Sequence, residues 1–77
     1  MRVYSEMVDF IAAGPSSRSV AEYRPSEEVR ARVADLIGRE KGEGLTADEA
    51  RELDHYEHLE HVMRLAKARA KHYLASE

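Results

Sequence analysis

Apolar residues recur at helical spacing from the start of the chain. Val3, Tyr4, Met7, Val8 and Ile11 form one stripe, with Phe10 beside it and Glu6 and Asp9 on the other side. This pattern predicts a helix over 3–13. Gly14-Pro15 ends it, because glycine tolerates the cap conformation and proline cannot continue the hydrogen-bond ladder. Residues 15–25 are punctuated. Ser16, Ser17 and Ser19 compete for local backbone bonds, so at most one helical turn is expected through Val20 and Ala21. Pro25 pushes Arg24 away from helical geometry. Val20 and Tyr23 are placed to pin this connector onto the core.

A second helix is predicted over 26–40. Ser26 is its N-cap, and Glu27 and Glu28 sit in the first turn, where the helix dipole favours acids. Its buried stripe is Val29, Val33, Leu36 and Ile37. Gly38 is a weak spot inside the pattern, and Gly42 and Gly44 bracket the turn that follows. The third helix, predicted over 46–75, has the strongest start signal. Thr46-Ala47-Asp48-Glu49 reads as a capping box, flanked by Leu45 and Ala50 as a hydrophobic staple. No glycine or proline follows Gly44, so this helix can extend for about 45 Å at 1.5 Å per residue. A compact domain of this length is only about 25 Å across. The expected fold is therefore all-α, a single domain over 1–77, with two shorter helices packed on the N-terminal half of a long third helix that overhangs them.

An apolar seam along the third helix runs through Tyr56, Leu59, Met63, Ala66, Ala70 and Tyr73, stepping by three and four residues. Val62 widens it, as do Leu53, Leu65 and Leu74. The small side chains at Ala66, Ala68 and Ala70 would let another helix approach closely. Tyr56, Leu59, Val62, Met63, Ala66, Ala70 and Tyr73 are accordingly the candidate partner-binding residues. A helix of a second copy or of another protein is the expected cover for the C-terminal half.

Composition narrows the field. The chain has 77 residues and no cysteine, which excludes disulfides, thiolate metal sites and cysteine nucleophiles. A core this small needs well-packed helices, self-association or a partner. The segment MRVYSEMVDF carries acids and no long apolar run, unlike a signal peptide, and no stretch approaches the ~20 apolar residues of a membrane span. A cytoplasmic location without membrane contact is expected. The net charge of −3 is unevenly placed: residues 1–63 hold 8 basic and 14 acidic side chains, and residues 64–77 hold 4 and 1.

The basic face is Arg64, Lys67, Arg69 and Lys71. Cations there complement the end of the helix dipole, and they can equally meet an acidic groove on a protein or nucleic-acid phosphates. No base-reading element accompanies them. His55, His58 and His61 drift along one side of the helix near Asp54 and Glu57, with His72 further on. Imidazole and carboxylate suit zinc or iron, but Glu52-x-x-His55 stands alone where di-iron bundles use two such motifs, and no H-E-x-x-H is present. Neither a G-x-S-x-G elbow nor a P-loop is found. The expectation is no enzyme, no catalytic residues, no cofactor and no metal.

Three blocks together carry a family resemblance. They are Asp9-Phe10-Ile11-Ala12 followed by Gly14, then Pro25-Ser26-Glu27-Glu28 with Arg32-Val33-Ala34-Asp35-Leu36-Ile37, and finally Leu59-Glu60-His61-Val62-Met63-Arg64-Leu65-Ala66-Lys67-Ala68-Arg69-Ala70. The chain resembles, over nearly its whole length, a family of short uncharacterised bacterial helical proteins often encoded beside an HNH-type nuclease. The resemblance implies an antitoxin-like role, as in a toxin–antitoxin pair, with a protein partner and no catalytic residues. The leading expectation is a non-enzymatic protein-binding module that neutralises or regulates a partner enzyme such as a nuclease. The alternatives are a structural homodimer pairing through Tyr56, Leu59, Met63, Ala66 and Ala70, and a nucleic-acid binder using the basic face, which is less favoured.

Overall fold

Three helices start on a hydroxyl side chain that accepts a backbone N–H three residues on. Ser16 accepts from Ser19 at 3.1 Å, Ser26 from Val29 at 3.2 Å and Thr46 from Glu49 at 3.1 Å. At Thr46 the bond is returned, since its own N–H donates to Glu49 Oε1 at 3.1 Å and completes the capping box. The computed structural model describes residues 2–76. Its elements are α1 (Ser5–Ala12), α2 (Ser17–Ala21), α3 (Glu27–Lys41) and α4 (Ala47–Ala75), with no strand among the described residues. The fold is all-α, with the shorter helices packed on a long C-terminal one.

The helix ends follow the sequence signals. Gly14, at a φ of 68°, donates its N–H to Ile11 O and closes α1. Gly44, at a φ of 95°, donates to Arg39 O at 2.7 Å and turns the chain from α3 into α4. Both conformations strain any residue with a Cβ. The connector departs from expectation, because α2 is a capped five-residue helix rather than at most a single turn. The serine hydroxyls that compete with helix in mid-segment here supply the cap instead.

Parallel and antiparallel packing can be read from cross-contacts to α4. The Val3 N–H meets Glu52 at 3.0 Å, the Tyr4 ring lies edge-on to His55 at 5.3 Å, and Val8 shares a groove with His58 and Leu59. Residue numbers therefore rise together, and α1 runs parallel to α4. On α3, Arg32 reaches Glu52 and Arg39 reaches Glu49, so α3 runs antiparallel, as its short connection requires. The start of α2 lies beside Ala66, Ala70 and Tyr73, and the chain returns to Tyr23 and Pro25 beside Tyr56 and Met63. Thus α2 caps the upper part of α4 and α3 covers its lower part.

The core is one cluster: Val3 and Met7 with α1, Val29 and Leu36 on α3, and Leu53, Tyr56 and Met63 on α4. Phe10 stacks on Tyr23 at 4.5 Å and joins the connector to this core. Glu6 accepts the Ser26 N–H at 3.1 Å, which ties α1 to the start of α3 and places a carboxylate at the positive end of that helix. The molecule measures 49 × 21 × 19 Å with a radius of gyration of 14.2 Å, against about 11–12 Å for a compact chain of this length. At 29 residues, α4 is about 43 Å long and must lie along the long dimension. The expected elongation is present, but the expected bare upper half is not. The connector covers part of it, because Ala66 and Ala70 are small enough for α2 to come close.

Candidate interaction surface

The seven seam residues of α4 do not share one environment. Tyr56, Met63 and Ala70 are buried within the chain, and Leu59 and Ala66 are half-buried under α1 and α2. These five are occupied by the protein's own helices. Of the small residues read as an invitation to a foreign helix, Ala66 and Ala70 are taken up by α2, and Ala68 stays exposed. Val62 and Tyr73 remain outside, at 54% and 57% exposure, together with Leu65 at 61%. The seam that closes the core and the seam left open are therefore neighbouring stripes on one helix.

The open stripe steps His55, His58, Val62, Leu65, Arg69 and Tyr73, again by three and four residues, so these side chains line one edge of α4. Beside its lower part runs α1, with Val8 at 43% and Ile11 at 45% exposure. Val8 sits level with His58 and Leu59, and one turn further on each helix brings Ile11 level with Val62. The lower end of this edge forms an open groove between Tyr4, Val8, His55, His58 and Leu59. Its upper end carries Leu65 and Tyr73 with Ala68 and His72.

The basic residues divide between two faces. Arg64, Lys67 and Lys71 step by three and four along one side of α4, and Arg69 sits across the helix on the open apolar edge. Arg64 is held by Glu60 at 2.9 Å. Among the described residues no carboxylate lies within ion-pair range of Lys67, Arg69 or Lys71. The histidines are dispersed. His55 abuts Tyr4, His58 Nδ1 lies 3.5 Å from Asp54, His61 is exposed, and His72 lies edge-on to Tyr73 at 6.1 Å. Among the described residues no three His, Cys, Asp or Glu side chains converge as metal ligands.

Two buried or half-buried acids anchor the base of α4. Glu52 is 3% exposed and accepts the Val3 N–H at 3.0 Å and Arg32 Nη2 at 3.3 Å, with Arg2 at 3.8 Å. It pins the N-terminal segment and α3 to the same point. Glu49 receives Arg39 at 2.6 Å and the Thr46 N–H, and these bonds hold its carboxyl at about 2. The sequence marks Glu49 as the capping-box acid but gives no sign of its bond to Arg39, and Glu52 enters there only in the lone Glu52-x-x-His55. The available signal was that Glu52 steps onto Tyr56, Leu59 and Met63 by four, three and four, which places a carboxylate on the apolar stripe.

A half-open recess of about 150 Å³ lies between Met7, Tyr23, Pro25, Tyr56, Glu60 and Met63, with Arg64 and Lys67 at its rim, and the larger hollows among the described residues, such as the 640 Å³ one along Leu65 and Tyr73, are shallower and more open to solvent. Ligand sites run to roughly 300–1,000 Å³. Burial, and then the nearby carboxylates of Glu6 and Glu60, push the Tyr23 and Tyr56 phenols upward, so both remain hydroxyl donors at neutral pH. No family model, curated protein or solved structure matches the chain.

Proposed function

We propose that this chain is a non-enzymatic protein-binding module that acts in an antitoxin-like way, neutralising or regulating a partner enzyme. The observation that carries the reading is the open edge of α1 and α4. Val8, Ile11, Val62, Leu65 and Tyr73 stay exposed although the chain has closed a core of its own. A small protein gains nothing by leaving large apolar side chains aligned in solvent, and a contiguous exposed apolar surface marks association. The ridge of Arg64, Lys67 and Lys71 on the other side of α4 offers a second contact, suited to an acidic surface on the enzyme.

The identification of the enzyme as a nuclease rests on the sequence resemblance, and a cytoplasmic setting for the pair is part of the same proposal. Among the described residues no helix is long and apolar enough to cross a membrane. A nucleic-acid role for the basic residues is disfavoured by their division. With Arg69 on the apolar edge, only three cations share a face, one of them bound to Glu60, and phosphate contacts alone carry no sequence information.

The test is capture of the tagged chain from its native host, followed by titration into an assay of whatever enzyme co-purifies. A stoichiometric partner whose activity falls as the chain is added supports the proposal. Capture of no enzyme, or an enzyme indifferent to the chain, overturns it.

A further inference from the structure

We propose that the recess between α1, the connector and α4 binds a carboxylate carried on a short apolar stem. The recess lies on a different side of α4 from the open apolar edge, so the inference stands whether or not the chain neutralises an enzyme. Tyr56, Glu60, Met63 and Lys67 line it from α4, stepping by four, three and four, with Met7 and Tyr23 opposite. The Tyr56 hydroxyl is out of place in a finished core. The residue is only 6% exposed, yet its hydroxyl makes no hydrogen bond with any described residue. Among the described residues no side-chain nitrogen or oxygen is sealed away without a partner, so this oxygen reaches the recess surface. Buried hydroxyls are paired as a rule, because a donor left without an acceptor is costly. Tyr56 therefore offers its proton to an occupant of the recess.

The recess is rich in donors and poor in acceptors. Tyr23 is half-buried, and its phenol likewise has no partner among the described residues. Burial, and then Glu6 and at Tyr56 also Glu60, push both phenols upward, so both keep the proton they would donate. Lys67 is half-buried at the rim, with no carboxylate of the described residues in ion-pair range. Glu60 is the acid of the lining, and its charge is answered by Arg64 at 2.9 Å. Glu6 is engaged by the Ser26 N–H at 3.1 Å. One unmatched cation and two hydroxyl donors remain, a set that a single anionic acceptor satisfies. A cation would meet Lys67 and find its acid already bonded, and a dianion would exceed the charge on offer. Met7 and Met63 give apolar wall for the stem. The space, about 150 Å³, is what a benzene ring requires, so the occupant is no larger than one side chain.

The experiment titrates the whole chain with benzoate, benzamide and benzylamine, which share one ring and differ in charge. The readout is the NMR signals of the Met7 and Met63 methyls and the Tyr56 ring. Benzoate is expected to move them with a Kd of about 1 mM or tighter. Benzamide should bind about tenfold more weakly, and benzylamine not at all. Tyr56→Phe and Lys67→Met, which keep the ring and the stem, should each weaken benzoate about tenfold, with helix content by circular dichroism unchanged. Lys71→Met, on the ridge outside the recess, should bind as the wild type does. A capped peptide with one central glutamate separates the two sources of a carboxylate. Binding that equals or exceeds benzoate assigns the recess to an acidic side chain of a protein, and weaker binding assigns it to a free small acid. Signals unmoved by about 10 mM of both benzoate and peptide overturn the proposal, as do benzylamine binding as tight as benzoate or wild-type affinity in both variants. Enzyme capture is read separately, so the failure of either proposal leaves the other standing.

Discussion

Removing the Glu52 carboxylate tests the account of how α4 is anchored. The Glu52→Ala substitution deletes the acceptor of the Val3 N–H, on a residue with no exposed surface, and the closest partner of Arg32. A hydrogen bond to a charged group contributes about 1.5–3 kcal/mol. The arginines contribute less. Arg32 and Arg2 keep 37% and 49% of their side chains in solvent, which puts each pair nearer the ~0–1 kcal/mol of a screened surface contact. The expected loss is about 2–4 kcal/mol, a large part of the total for a chain of this size. It corresponds to a drop of roughly 10–30 °C in Tm. The Glu52→Gln substitution keeps an oxygen for Val3 and forfeits only the charge, so its loss is about 1–2 kcal/mol. Urea titration followed by circular dichroism measures both, and hydrogen exchange at the Val3 amide reports the bond directly. If Glu52→Ala and Glu52→Gln fall together, or the alanine variant lies within about 0.5 kcal/mol of wild type, Glu52 is not the anchor described.

Further outcomes follow from other positions. Glu49 has its carboxyl lowered from 4.5 to about 2 in the folded chain, so its stabilising contribution is complete above the unfolded value and disappears as pH falls through about 2. Glu49→Gln should flatten the acid limb of the stability profile in that window, and an unchanged limb would contradict the Arg39 and Thr46 bonds. Gly38 lies inside α3 with open space where a Cβ would stand, so Gly38→Ala should raise stability by about 0.5–1 kcal/mol. Gly44→Ala, at a φ of 95°, should lower it by about 1 kcal/mol instead, and calorimetry giving the two the same sign would refute both assignments. Ala70→Leu should cost about 1–3 kcal/mol by forcing α2 off α4, whereas a neutral result in urea titration would mean that α2 does not pack there.

Local signals were legible because they act over three or four residues. The hydroxyls of Ser26 and Thr46, the acids Glu27 and Glu49, and the stops at Gly14 and Gly44 each announce an element whose geometry they complete. What the sequence concealed is decided between distant segments. Periodicity makes Ala70 and Leu65 equally apolar, yet α2 reaches the first and the second stays 61% exposed. A five-residue helix is too short to show a period, so its role as a cover had no pattern to betray it. Glu52 reads as a solvated acid until the Val3 amide, almost fifty residues earlier, is known to arrive beside it. Of the residues named as a candidate surface, Val62 and Tyr73 lie exposed along α4, whereas Tyr56, Met63 and Ala70 are turned inward.

That every shorter helix leans on α4 has a consequence for synthesis. The chain is made from the other end, so Val3, Met7, Val29 and Leu36 leave the ribosome before Leu53, Tyr56 and Met63, the side chains they must meet. Until then residues 2–41 have only contacts among themselves, such as Phe10 on Tyr23 and Glu6 on the Ser26 amide. They hold at most fleeting helices, because segments this short are marginal in water. The spine arrives last, and the fold must then form in one late, cooperative step rather than growing outward from the first helix.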